Sequence, residues 1–115
     1  MTQAISNENM ATFEFLKELD NSTFYPKESI AKGKEYLRDL CRAIESSQPK
    51  TIQDLTELTQ KTTQDFNLLE EELNEEGCII DTVAREAIAM AIGCISEAYG
   101  FEQVDIEQLI ANREW

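Results

Sequence analysis

Two observations predict an all-α fold. Apolar residues recur at helical spacing in every long segment, and the breaks between segments carry helix-stopping residues; no convincing strand run appears. The expected architecture is a single-domain bundle of about five helices, with a central apolar helix over about 81–99. Residues 1–7 read as a flexible polar leader and residues 8–115 as one helical domain, since 115 residues suit a single core.

A first helix is expected over 8–20, with Met10, Phe13, Leu16 and Leu19 on one stripe, broken by Asn21-Ser22-Thr23. Pro26 suits the first turn of a second helix, where a missing N–H costs nothing. That helix carries Ile30, Leu37, Cys41 and Ile44, and Gly33 within it marks a close helix crossing. Ser46 to Pro49 ends it. Thr51 caps the third helix, whose core face reads Leu55, Leu58, Thr62, Phe66, Leu69 and Leu73, the clearest helical pattern in the chain. Gly77 closes it.

Asp81 caps the fourth helix. Between Val83 and Ala98 it is apolar almost all round, which predicts a helix enclosed by the others. Gly100 ends it. Asp105 and Gln108 form a variant of the capping box at the start of a fifth helix, with Val104 and Leu109 at the flanking staple positions. Phe24, Tyr25, Tyr99, Phe101 and Trp115 lie near the ends of these segments, either sealing the bundle or available as anchors for a partner.

Acidic residues dominate the charge. The chain holds 23 Asp and Glu against 10 Lys and Arg, a net −13, and no histidine. The excess is uneven. Residues 51–76 hold eight acids and one base, whereas residues 26–50 hold six bases and four acids. Five acids (Glu70, Glu71, Glu72, Glu75 and Glu76) fall near the C-terminal end of the third helix, where negative charge opposes the helix dipole. A field of this sign repels nucleic acid and anionic membranes and attracts basic proteins.

The chemistry open to such a chain is narrow. Without histidine there is no Ser-His or Cys-His pair and no Glu-x-x-His metal motif. No phosphate-binding glycine loop and no calcium loop occurs. The acids at i, i+4, Glu71 with Glu75 and Glu72 with Glu76, fit a solvated face better than a metal site. No enzyme activity, metal or other cofactor is therefore expected. Cys41, Cys78 and Cys94, an odd number without paired spacing, read as reduced thiols in a cytoplasmic protein. No signal peptide and no membrane-length apolar run is present.

Three stretches carry a family resemblance: 13–41 (FEFLKELDNSTFYPKESIAKGKEYLRDLC), 83–101 (VAREAIAMAIGCISEAYGF) and 105–115 (DIEQLIANREW). Their distinctive pieces are Phe24-Tyr25-Pro26-Lys27, Ala98-Tyr99-Gly100-Phe101 and Arg113-Glu114-Trp115. The chain resembles the small acidic helical immunity proteins of bacterial contact-dependent growth inhibition, in the subgroup paired with EndoU-fold ribonuclease toxins. The resemblance implies a cytoplasmic inhibitor that binds the toxin's C-terminal nuclease domain and blocks its active site. It transfers no residue roles.

The residues themselves suggest how. A ribonuclease that cuts tRNA is basic around its cleft, and an acidic helix can fill that cleft as an RNA mimic. Asp65, Glu70, Glu71, Glu72, Glu75 and Glu76 are the candidate partner-binding residues. A second acidic segment, with Glu97, Glu102, Asp105, Glu107 and Glu114 against Arg113, is the alternative face. The alternative function is an acidic helical regulator that sequesters a basic nucleic-acid-binding protein, with no toxin partner. Surface acidity that serves solubility alone is the plainest reading.

Overall fold

A computed structural model describes residues 4–115, and among them there are helices and no strands. The elements are α1 (Glu8–Ala11), a 3₁₀ turn (Lys17–Leu19), α2 (Lys27–Ser47), α3 (Ile52–Glu75), α4 (Thr82–Ala98) and α5 (Ile106–Leu109). The radius of gyration is 13.6 Å. A folded domain of this length is expected near about 13 Å, so the helices pack around one core. No helix among the described residues is long and apolar enough to cross a membrane.

The frame is the pair α2 and α3. The expected stripe of α2, Ile30, Leu37, Cys41 and Ile44, is buried, as are Gly33 and Leu40. Gly33 marks the crossing the sequence predicts. A Cβ there would lie 3.0 Å from Leu16 Cδ1 and 3.1 Å from Phe66 Cε1, so a side chain would push against both. Pro26 stands one position earlier than expected, as the N-cap, with its carbonyl accepting from Ser29 and Ile30. Thr51 caps α3 through Asp54 N–H at 3.1 Å. Both α3 and α4 end with a glycine at positive φ, Gly77 at 78° and Gly100 at 95°. After each, the next residue's N–H reaches back to the helix: Cys78 to Leu73 O at 2.8 Å and Phe101 to Ser96 O at 2.9 Å.

Three expectations change. The first helix stops after one turn, at Ala11, and the chain beyond it buries both Phe15 and Leu16 outside any regular α-helix. The chain bends at Leu16, which has φ 56°, and enters the 3₁₀ turn. Phe13, expected in the stripe, is exposed instead and leans on Phe15.

Second, α4 packs against α1, α2 and α5 but is not enclosed. Val83 and Met90, two turns apart, are 56% and 64% exposed. The helices α1 and α5 are four residues each, too short to cover that side.

Third, α5 is a single turn. Asp105 caps it by accepting from Glu107 N–H rather than completing the box with Gln108. The chain beyond runs as turns to Trp115, held along α3 by hydrogen bonds. Thr59 donates to Leu109 O, Asn67 donates to Asn112 O, Asn112 donates to Gln60 O, and Glu114 N–H donates to Asn67. Trp115 is buried and meets Phe66 edge-on.

Part of the expected leader, residues 1–3, lies outside the described residues. Within residues 4–7, Ser6 and Asn7 make hydrogen bonds to the bundle. The N–H groups of Ser6 and Asn7 donate to the Glu45 carboxylate, and Asn7 then caps α1 while its amide donates to Ala98 O. Tyr99 donates its hydroxyl to the same carboxylate, as Tyr25 does to Asp81 at the start of α4.

These two carboxylates set an acid limit. Burial works to raise the Glu45 carboxyl, but the donors from Tyr99, Ser6 and Asn7 outweigh it and hold it below its ordinary 4.5. The Tyr25 hydroxyl, against a smaller effect of burial, holds Asp81 below its ordinary 3.8. Groups depressed in the fold stabilise it above their unfolded values and lose that contribution as pH falls through the folded ones. Stability should therefore drop as pH goes from about 5 downward. In the double variant Glu45→Gln/Asp81→Asn the slope of melting temperature against pH should flatten; an unchanged slope would locate the acid sensitivity elsewhere.

The three thiols are free. Burial pushes Cys41 up to about 12, so that thiol is unreactive at neutral pH.

Candidate functional site

Acids of the same run take up different tasks once α3 is formed. Glu70 lies half-buried on one flank of the helix. Its Oε2 accepts the N–H of Ile80 at 2.6 Å, across the turn that follows Gly77, and so fixes the path from α3 into α4. Glu72 lies on the other flank and pairs with Lys32 of α2 at 3.0 Å. Both side chains are about half exposed, so that pair contributes little to stability. These two sequence-predicted site residues are thus engaged within the protein.

Glu70→Ala is expected to destabilise the fold by about 1–3 kcal/mol, since it strands a half-buried N–H. Chemical denaturation measures this, and amide exchange at Ile80 should quicken. Unchanged stability with slow Ile80 exchange would mean that the loop holds itself.

The remaining acids are free. Glu71, Glu75 and Glu76 are exposed and Asp65 is half-buried, and none of the four has a hydrogen-bonded or ion-paired side-chain partner among the described residues. Between them stands Leu68, 60% exposed. Leu68, Glu71 and Glu75 follow at i, i+3 and i+7, one face of the helix. A shallow depression there is lined by Lys61, Gln64, Asp65, Leu68, Glu71 and Glu114. The tethered C-terminal segment delivers Glu114 to this place, a residue the sequence assigned to the alternative face.

Leu68 is thus an exposed apolar residue among carboxylates, with Lys61 as the cation in the same depression. Carboxylates in such a place attract cationic groups in general, and an exposed leucine offers apolar area that a neighbour can cover. Among the described residues no group of three or more His, Cys, Asp or Glu is placed to hold a metal ion.

Sequence reasoning missed Leu68, because it falls outside the core stripe and inside an acidic run. Its one signal was that an apolar residue occupied the polar face of a helix whose core positions were already filled.

The fold defines a small all-α protein built on one long helical hairpin. The chain belongs to the DUF5713 family, described as a family of unknown function, whose model matches residues 9–115. No curated protein and no solved structure matches it.

Proposed function

We propose that this chain is a non-catalytic immunity protein of a bacterial contact-dependent growth inhibition system. It acts in the cytoplasm, where it binds an incoming toxin's nuclease domain, an EndoU-like tRNA ribonuclease. The acidic face of α3 covers the basic cleft of that domain and keeps RNA out. The observation that carries this reading is the exposed Leu68 among free carboxylates of Asp65, Glu71, Glu75 and Glu114. The resemblance across 13–41, 83–101 and 105–115 supplies the identity of the partner. The charge imbalance supplies the steering, since a net −13 protein meets a basic one faster than a neutral one would.

Protection tests it. Any nuclease domain encoded beside this gene is expressed with and without the chain, and growth and tRNA integrity are followed. Intact tRNA and normal growth only in the presence of the chain are expected. Cleaved tRNA despite folded, soluble chain would remove the immunity reading and leave the regulator of a basic nucleic-acid-binding protein.

A further inference from the structure

The exposed side of α4 carries uncovered apolar side chains. Val83 and Met90 stand on one line of the helix, with Ile79 just before it, and all three are at least half exposed. Past Met90 the line enters a groove between α4 and the 101–106 segment. Met90, Cys94, Phe101, Val104 and Ile106 form its apolar lining, and Glu97 and Glu102 border it. Gly93 lets the groove form: a Cβ there would lie 2.8 Å from Ile106 Cδ1, so the missing side chain seats Ile106 against the helix.

The charges along this surface have one sign. Glu86, Glu97 and Glu102 are exposed, and none has an ion pair among the described residues. The nearest cation in the C-terminal segment, Arg113, is already paired with Glu107 at 2.8 Å. A second copy of this chain would bring the same carboxylates to the same place, at net −13 on each side, so self-association is disfavoured. From Val83 to Cys94 the line covers about 16 Å, roughly three helical turns.

We propose that this groove binds a cationic amphipathic segment of a partner protein. The segment is about three turns long, with an apolar stripe on Met90 and Phe101 and Lys or Arg side chains on Glu86, Glu97 and Glu102. This holds whether or not the partner is a toxin, and it engages a face distinct from Leu68.

The probe is a synthetic helix of about twelve residues with a leucine stripe flanked by lysine and arginine. It is titrated into the isotope-labelled chain at low salt, with affinity measured by calorimetry and the site mapped from amide shifts. Shifts confined to 83–106 are expected. The double variant Glu97→Lys/Glu102→Lys should bind about tenfold more weakly, Met90→Ser about fivefold more weakly, and Glu71→Lys/Glu75→Lys within about twofold of the parent. Every changed side chain is exposed, so these variants keep the fold. Shifts centred on Leu68 and Glu71 would overturn the proposal. So would equal affinity for a peptide whose leucines are serines, undiminished affinity in the Glu97/Glu102 variant, or a dimer in sedimentation that Met90→Ser dissolves.

Discussion

Phe66→Ala is expected to remove about 3–5 kcal/mol of stability, a large share of what a domain of this size holds. The ring is 1% exposed at the middle of α3. It touches both α2 and the C-terminal segment. Tyr36 of α2 meets it edge-on at 5.4 Å between ring centres, Trp115 at 6.1 Å, and Gly33 lies close enough that a Cβ there would be 3.1 Å from it. Truncation leaves a cavity whose walls belong to α2, α3 and the C-terminal segment. Those walls cannot collapse together without giving up the hydrogen bonds that Thr59 and Asn67 make to the tail. Urea denaturation followed by helical circular dichroism measures the loss, with Met90→Ala as the exposed control within about 0.5 kcal/mol of the parent. A loss below about 1 kcal/mol for Phe66→Ala would mean that the tail and the helical hairpin are stabilised separately.

What was legible in the sequence follows from the range of the forces involved. The stripes of α2 and α3 depend on neighbours three and four positions away, so Leu37, Cys41, Leu55, Phe66 and Leu73 could be placed from spacing alone. The segment before α2 could not. Whether Phe13 or Phe15 enters the core depends on where α2 and α3 leave room, and the chain adopts a left-handed conformation at Leu16 to use that room. The tail was misread for a similar reason. Thr59 and Asn67 look like ordinary polar helix residues until a distant segment needs their hydrogen bonds.

In the candidate site the charge was legible but its division was not. Glu70 reaches Ile80 only because the chain reverses after Gly77, and Glu72 meets Lys32 only through the register of α2 on α3. Composition likewise marked α4 as apolar. It could not show that two one-turn helices would leave Val83 and Met90 uncovered.

That division decides which charges should matter for binding. If the proposed partner is a basic nuclease domain, the triple variant Glu71→Lys/Glu75→Lys/Glu76→Lys is expected to associate with it about ten- to a hundredfold more slowly at low salt, with a smaller change in dissociation. Its rate should also depend less on salt, because screening weakens an attraction only where one exists. Stopped-flow association at about 20 mM and about 300 mM salt reads both quantities, spanning screening lengths from about 20 Å to about 6 Å. Glu70 and Glu72 are left intact, since reversing Glu70 would break the turn into α4 and reversing Glu72 would set a lysine against Lys32. Misfolding does not explain a slow rate in this variant. Its three changes place positive charge at the C-terminal end of α3, where the dipole favours it, and turn the Glu72/Glu76 pair at i, i+4 into an opposite-charge one, while positions 71 and 75 remain like-charged. The variant should be as stable as the parent or more so, and a melting curve run beside the kinetics separates the two effects. An unchanged rate and salt slope would mean that the partner does not approach over α3, and the carboxylates bordering the α4 groove, Glu97 and Glu102, would be the next charges to reverse.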